Sequence, residues 1–269
     1  MKKYNIQKYL EETVGQRGLK YELKVFNTVK SANIEGLNVG DKPTAGFSNQ
    51  GAGDLEASYN GKPFNIEIKL STKEQMGGGS FRYDYVTKQF TPAKHMEPED
   101  LDLLLSACRE KSISLDRYIE AARILEPVEY HKNISGVPIK VSKDARNELK
   151  SRGFLRDINK NIKTGINFIT NHYNRKGVYY IQIGGSGLFY MGMNPINLPI
   201  PELKAEIQIE MRLGFGGGKL SFPTDPPTPA RSAGLRVQGR LLTRGKSPYT
   251  LDNVEDVEKL FKEVLDKNS

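Results

Sequence analysis

Residues 53–70 read GDLEASYNGKPFNIEIKL, and this stretch decides how the chain is expected to fold. Its middle, Asn60-Gly61, is a dipeptide typical of two-residue hairpin turns, and Pro63 suits the start of a strand. The flanking residues alternate between apolar and polar side chains or run apolar, as strand residues do. The stretch therefore predicts a β-hairpin.

The second strand of this hairpin separates charged from apolar side chains. Successive strand residues point to opposite faces, so Ile66, Ile68 and Leu70 are expected on one face, with Glu67 and Lys69 on the other. Such a charged pair is compatible with an ordinary solvated strand face, and the strand alone leaves that alternative open.

A carboxylate at the start of the hairpin adds to this charged pair. Asp54 precedes Glu67 by twelve intervening residues, and Lys69 follows two positions later. Two convergent carboxylates supply the oxygen ligands that Mg²⁺ prefers and leave room for waters and a phosphate oxygen. The metal lowers the pKa of a bound water, and a lysine on the same face can orient that water or help to deprotonate it. The spacing therefore favours a site for metal-assisted hydrolysis of a phosphodiester.

The set Asp54, Glu67 and Lys69 resembles the motif of the PD-(D/E)XK nuclease superfamily, which includes restriction endonucleases, Holliday-junction resolvases and phage exonucleases. Gly53 stands where the family motif begins with proline. The resemblance implies that Asp54 and Glu67 hold the metal, with the Ile68 carbonyl as a further ligand, and that Lys69 positions or activates the water. It also implies Mg²⁺ as the cofactor, with Mn²⁺ expected to substitute.

A helix upstream of the hairpin adds a fourth site residue. In the helix predicted over residues 18–32, four apolar residues recur at helical spacing and predict a buried stripe: Leu19, Leu23, Phe26 and Val29. Glu22 falls beside this stripe. A glutamate next to the core, in the helix before the site strands, is similar to the arrangement in the nuclease superfamily. The resemblance implies that Glu22 supports the shell of metal-bound water.

Composition limits the class of protein. The chain of 269 residues has 37% hydrophobic residues and a mean hydropathy of −0.54, which is typical of a soluble globular protein. No apolar run approaches the length of a membrane span, and the basic N-terminus lacks the apolar stretch of a signal peptide. Cys108 is the only cysteine, which excludes an intramolecular disulfide and a cysteine metal cluster. The cytoplasm of a bacterial or phage-infected cell is the expected compartment.

Positive charge is concentrated in two segments downstream of the hairpin. The formal net charge of the chain is +8. Residues 132–176 contain 11 Lys or Arg against 3 Asp or Glu, and residues 212–246 contain 7 against 1. Such segments are the expected footprint of binding to the phosphate backbone of DNA. A solvated basic surface without a partner has the same composition, so that alternative stays open.

Arginines recur in the second basic segment. The candidate DNA contacts in and around it are Arg231, Arg236, Gln238, Arg240 and Arg244. Arginine suits bidentate contacts with phosphate and with guanine edges. In a strand, Arg236, Gln238 and Arg240 share one face, which is compatible with a DNA-contacting surface and also with a hydrated sheet face.

The rest of the sequence predicts a mixed α/β (α+β) fold. Helices are predicted at residues 4–13, 18–32, 97–110, 114–126, 144–159, 162–174 and 252–265, the last capped by Asp252. Strands beyond the hairpin are predicted at residues 81–86, 177–183, 188–192, 205–213 and 235–243. Residues 71–80, which include a triplet of glycines, are predicted to form a loop.

This order of elements fits the fold that the resemblance implies, a restriction-endonuclease-like mixed central sheet flanked by helices. Residues 1–195 are predicted to form the nuclease core, with a helical insertion at about residues 97–175. Residues 196–269 are predicted to form a β-rich, arginine-rich part that contacts DNA and ends in a helix.

The function expected from these features is that of a Mg²⁺-dependent DNA endonuclease, of restriction-like or phage-encoded type. A DNA exonuclease or a junction resolvase on the same fold stays open as an alternative. From another class, so does a DNA-binding or assembly protein that kept the fold without cleaving DNA. Double-strand cleavage with one site per chain would favour a homodimer, although no interface is legible in the sequence.

Overall fold

The structure is a computed structural model that describes most of the chain. The described residues are 14–40, 53–84, 87–93, 95–124, 138–139, 143–153, 159–214, 218–221, 228–229, 234–242 and 245–268. The helix predicted at residues 4–13 lies outside them, as do Arg231 and Arg244.

Both helices and strands are present. The helices are α1 (Val14–Ser31), α2 (Pro98–Glu110), α3 (Asp116–Ile124), α4 (Lys143–Ser151), α5 (Asn167–Arg175) and α6 (Val254–Asn268). The strands are β1 (Leu37–Val39), β2 (Leu55–Tyr59), β3 (Lys62–Lys69), β4 (Gln75–Asp84), β5 (Gln89–Pro92), β6 (Pro138–Ile139), β7 (Asn159–Gly165), β8 (Val178–Ile183), β9 (Gly187–Tyr190), β10 (Glu206–Gly214), β11 (Gly218–Ser221), β12 (Thr228–Pro229) and β13 (Gly234–Leu241).

The strands form two five-stranded sheets and a small three-stranded sheet. The first sheet has the order β1-β2-β3-β8-β9, and its only parallel neighbours among the described strands are β3 and β8. The second has the order β5-β4-β13-β10-β7 and is antiparallel. The small sheet has the order β12-β11-β6. Helices flank these sheets, so the predicted α+β class is confirmed. In the part of the chain that is described, no helix is both long and apolar enough to cross a membrane.

The chain divides into two compact units. The first unit comprises residues 1–74, 173–205 and 242–269, and the second comprises residues 75–172 and 206–241. The first unit contains the first sheet with α1 and α6, and the second contains the other two sheets with α2, α3 and α4. Each unit takes residues from both sides of position 195, because strands distant in sequence pair within each sheet. The units therefore do not coincide with the two contiguous parts predicted.

Helix α1 packs on the core of the first unit through a stripe that agrees with the predicted one only in part. Phe26 and Val29 are buried in that core as predicted, together with Tyr21 and Val25. Leu19 and Leu23, predicted to be buried, are 39% and 37% exposed. The helical spacing fits both stripes, and the packing partners decide which one turns inward.

Strand β4 runs through the glycine triplet that was predicted to be a loop. The pairing of β4 with β13 shifts by one residue between Arg236 and Gln238, which leaves an extra residue on β4. Gly79 adopts a φ of +85° at this bulge, a conformation that favours glycine. A Cβ on Gly78 would lie 2.9 Å from the Ile169 side chain. These glycines allow close packing of the strand and do not form a flexible loop.

Helix α4 is shorter than predicted. The prediction extended to residue 159, whereas the helix ends at Ser151. Gly153 has a φ of +71°, and its N–H donates to the Lys150 carbonyl at 3.1 Å. A glycine in this conformation is a common helix stop, so Gly153 is the signal that the helix prediction passed over.

The helix predicted at residues 162–174 is also corrected. Its first part belongs to β7, and α5 begins only at Asn167. Ile162 pairs with Ile209 of β10, and both side chains are buried. Pairing with a distant strand overrides the local helical spacing.

The C-terminal helix begins later than predicted. It starts at Val254, and the Asn253 side chain accepts a hydrogen bond from the Glu255 N–H at 3.0 Å. Asn253 therefore has the capping position that was predicted for Asp252. Asp252 instead accepts a hydrogen bond from the Tyr21 hydroxyl at 3.0 Å, which links α1 to the segment before α6.

Candidate active site

The predicted hairpin forms as β2 and β3. Asn60 and Gly61 both have positive φ, +48° and +78°, as a two-residue type I′ turn requires. Tyr59 pairs with Lys62 across this turn. The turn fixes the register of the strands and places Asp54, directly before β2, beside the end of β3.

The two faces of β3 divide as predicted. Phe64, Ile66 and Ile68 are buried in the core of the first unit. Glu67 and Lys69 point to the opposite face. That face is not an open surface, because Glu67 is only 7% exposed.

The side chains of Asp54, Glu67 and Lys69 are brought together. The Lys69 ammonium nitrogen lies 2.6 Å from Glu67 Oε1 and 4.0 Å from Asp54 Oδ2. The Ile68 N–H donates to Asp54 Oδ2 at 2.8 Å and holds that carboxylate against the strand. One ammonium thus lies between two carboxylates.

The backbone of β3 determines where the Ile68 carbonyl points. The Lys69 carbonyl accepts a hydrogen bond from the Gly184 N–H, just after β8, at 2.8 Å. Successive strand carbonyls point to opposite sides, so that of Ile68 points toward β2. The N–H of Ile68, which donates to Asp54, lies on that side too. The Ile68 carbonyl and the Asp54 carboxylate are therefore on the same side of β3.

Tyr173 is a member of this cluster that the sequence did not indicate. It lies near the end of α5, and its buried hydroxyl donates to Glu67 Oε1 at 3.0 Å. Glu67 Oε1 therefore accepts from both Tyr173 and Lys69. No described residue donates to Glu67 Oε2. No residue spacing relates Tyr173 to the hairpin, so only the folded chain identifies it.

Glu22 of α1 is within electrostatic range of the cluster. Burial raises the pKa of Glu22, and repulsion from Glu67 and Glu74 adds to this, against the attraction of Lys69. Its Oε2 atom is buried and accepts no hydrogen bond from the described residues. A buried carboxylate oxygen without a donor is costly, and a cation would offset that cost.

Glu74 is a second residue that the sequence prediction omitted. Its Oε2 accepts a hydrogen bond from the Leu70 N–H at 3.0 Å, and its charge acts on Glu22. In the sequence, Glu74 could be recognised only as an acidic residue five positions after Lys69, in a stretch predicted to be a loop.

The cluster has more negative than positive charge, and both burial and this charge balance affect its pKa values. Burial, followed by repulsion from Glu67, raises the pKa of Asp54 to about 7, despite the attraction of Lys69 and the hydrogen bond from Ile68. Burial acts to lower the pKa of Lys69, but attraction to Glu67, Tyr173 and Asp54 outweighs it and raises the pKa. Lys69 is therefore protonated at neutral pH.

The donor set suits a hard divalent cation. Among the described residues, no group of three or more His, Cys, Asp or Glu side chains is arranged to hold a metal ion. Mg²⁺ is usually bound through only one or two carboxylates, with waters completing its shell. Asp54 and Glu67 provide two carboxylates, and the Ile68 carbonyl lies on the Asp54 side. The excess negative charge and the unpartnered oxygen of Glu22 also fit a cation.

Three of the five predicted DNA contacts lie in the second unit, on β13. Arg236 and Arg240 are exposed and Gln238 is partly buried. They share one strand face, as predicted, and the buried Leu235 and Val237 belong to the other. Arg231 and Arg244 are outside the described residues.

The chain matches no protein-family model, no curated protein and no solved structure. The resemblance to the nuclease superfamily therefore rests on Asp54, Glu67 and Lys69 and on the geometry around them.

Proposed function

We propose that this protein is a Mg²⁺-dependent DNA endonuclease whose active site lies in the first unit. The observation that carries the proposal is the position of the Lys69 ammonium between the carboxylates of Asp54 and Glu67, on a covered strand face. Two carboxylates and a cation beside them form the combination that metal-assisted phosphodiester hydrolysis needs.

In this proposal Asp54 and Glu67 hold the metal, with the Ile68 carbonyl as a further ligand. Mg²⁺ would lower the pKa of a bound water and offset the charge that develops on the phosphate, and Mn²⁺ is expected to substitute for it. Glu67 would use Oε2, because Oε1 already accepts from Tyr173 and Lys69.

Lys69 acts in this proposal as a fixed cation. Its raised pKa keeps it protonated, so it is poorly suited to remove a proton from water. An ammonium at this position instead stabilises the negative charge of the reacting phosphate and donates hydrogen bonds that orient the water. Of the two predicted roles, positioning is thus the better supported. Glu22 would accept hydrogen bonds from metal-bound water through its unpartnered oxygen.

The setting of the enzyme is part of the proposal. We place it in the cytoplasm of a bacterial or phage-infected cell, acting on DNA. A homodimer would allow each of two sites to cut one strand.

The test is an incubation of supercoiled plasmid with the full chain, with Mg²⁺ or with chelator. We expect metal-dependent nicking or linearisation by the wild type. Asp54→Ala or Lys69→Ala should lower the cleavage rate by about 100- to 1,000-fold, the range for loss of one group that stabilises a transition state.

Two matched controls lie on the same hairpin. Glu56→Ala on β2 and Lys62→Ala on β3 remove exposed charges of the same types and should leave cleavage unchanged. Thermal melts and DNA binding of each variant separate loss of chemistry from loss of fold. Full activity in both Asp54→Ala and Lys69→Ala would refute the site. Retarded but intact DNA would favour a non-cleaving DNA-binding protein, and loss from ends only would favour an exonuclease.

A further inference from the structure

One face of the second sheet gathers cations from four strands. Residues directly opposite in paired strands share a face. Arg236 lies opposite Arg212 of β10, and Gly234 lies opposite Arg82 of β4. Gln208 of β10 lies opposite both Arg240 of β13 and Lys163 of β7, so these two cations share the same face. We call this surface the arginine face; its cations are Arg82, Lys163, Arg212, Arg236 and Arg240.

The reverse side of this sheet is apolar. Leu235, Val237 and Leu241 of β13 are buried there, with Ile207 and Ile209 of β10. Burial of that side fixes the orientation of the sheet within the second unit. The backbone of the sheet therefore determines that these cations point to the same face.

Two of the five cations on this face are already neutralised. Arg212 pairs with Glu210 at 2.8 Å, and Lys163 lies 3.9 Å from Glu206. Glu210 is buried, so Arg212 compensates the charge of a carboxylate within the sheet.

The other three cations are exposed, and the described part of the chain offers them no such partner. Among the described residues, no carboxylate pairs with Arg82, Arg236 or Arg240. These three guanidinium groups can therefore pair with a polyanion bound on this face.

We propose that the arginine face binds the phosphate backbone of duplex DNA. Its arginines, with Gln208 and Ser80, are donors of the kind that contact phosphate oxygens. Surfaces that bind single strands also present aromatic rings on which bases stack. At the described positions of this face no residue is aromatic. This binding would be largely independent of sequence and does not depend on the cleavage site.

The proposal is tested by fluorescence anisotropy of a labelled duplex, and of one of its strands, titrated with the full chain in chelator over a range of salt concentrations. We expect the wild type to bind the duplex more tightly than the strand. Each phosphate contact contributes about 0.9 to the slope of log affinity against log salt. Arg236→Ala/Arg240→Ala should therefore reduce that slope by about 2, and Arg82→Ala by about 1.

The control removes the same charge from another surface of the second unit. Arg109→Ala/Arg123→Ala takes two exposed arginines from α2 and α3 and should leave the slope unchanged. Substitution of Arg236 and Arg240 by lysine should retain most of the slope, and thermal melts verify that each variant is folded. An equal effect of the α2 and α3 variant, no effect of Arg82→Ala, or tighter binding of the single strand would overturn the proposal. Because the assay contains chelator, its result is independent of whether the protein cleaves DNA.

Discussion

Strands β3 and β13 both alternate apolar and charged residues, but their charged faces have different environments. On β3, Glu67 is 7% exposed and the Lys69 side chain 15%. On β13, Arg236 and Arg240 are exposed to solvent. Alternation in a strand thus identifies which residues share a face, but it does not say whether water or protein covers that face.

Because protein covers the charged face of β3, the side chains of the Asp54, Glu67 and Lys69 cluster interact strongly with one another. Glu67 adds to the rise in the pKa of Asp54, and Glu67 and Asp54 both act to raise the pKa of Lys69, because protein covers most of the surface of these side chains. The exposed arginines of β13 interact through water and salt, which screen charges beyond about 8 to 10 Å under ordinary conditions. Substitutions on β3 are therefore expected to affect stability strongly, and those on β13 weakly.

The largest difference is expected when one cation is removed from each strand. Lys69→Met leaves the Glu67 and Asp54 carboxylates without their ammonium, and loss of one partner of a buried pair costs about 3–5 kcal/mol. Arg240→Met changes an exposed side chain and should alter the free energy of unfolding by less than about 0.5 kcal/mol. Urea denaturation of both variants at pH 8 measures this difference. Equal effects would mean that the charged face of β3 is as solvated as that of β13.

The second prediction concerns the pH dependence of stability. Asp54 has a pKa of about 7 in the folded protein against an ordinary value of 3.8, so between these values the folded state keeps a proton that the unfolded state has lost. Its contribution to stability is complete below pH 4 and is lost as the pH rises to 7. Each unit of pKa shift corresponds to about 1.4 kcal/mol. Asp54→Asn should remove this part of the pH profile, whereas Asp102→Asn on the exposed surface of α2 should not.

The same titration gives a test of metal binding that needs no catalysis. Mg²⁺ binds the deprotonated carboxylates, so it should stabilise the wild type at pH 8 more than at pH 5. At a free concentration one hundred times Kd, the gain is about 2.7 kcal/mol. Asp54→Asn should lose this gain. A wild type whose stability is indifferent to Mg²⁺ at pH 8 would argue against the proposed cofactor.

Among the substitutions in the cluster, Tyr173→Phe is expected to have the smallest effect. The variant removes one hydrogen bond to Glu67 and keeps the ring, so we expect a loss of about 1.5–3 kcal/mol, typical of a hydrogen bond to a charged group. Mutation of a group that orients a metal ligand typically lowers metal affinity by about 10- to 100-fold. Half-maximal cleavage by this variant should therefore require a correspondingly higher Mg²⁺ concentration.

Tyr180→Phe provides the control for this variant. Tyr180 is also a buried tyrosine of the first unit, but its hydroxyl donates to Asn194 and is not in the cluster. Tyr180→Phe should lower the free energy of unfolding without changing the Mg²⁺ concentration that cleavage requires. If both variants show the same Mg²⁺ dependence as the wild type, Tyr173 supports the fold and does not position Glu67 for the metal.

Much of the first unit follows from local sequence. The Asn60-Gly61 turn fixes the register of the hairpin, and alternation in β3 separates Glu67 and Lys69 from the core. These features depend on neighbours within a few residues. Local rules failed where a distant strand or a single glycine intervened, as at Ile162 and Gly153.

The sequence by itself determined the hairpin, the sharing of faces along its strands and the grouping of Asp54 with Glu67 and Lys69. Only the tertiary structure decided that this group is covered, that Tyr173 contacts it and that Glu22 lies within its electrostatic range. The physical reason is that turn geometry and strand alternation act between near neighbours, whereas burial depends on elements that fold back from far along the chain. Burial in turn raises the pKa of Asp54 and makes three ordinary charged residues a candidate site.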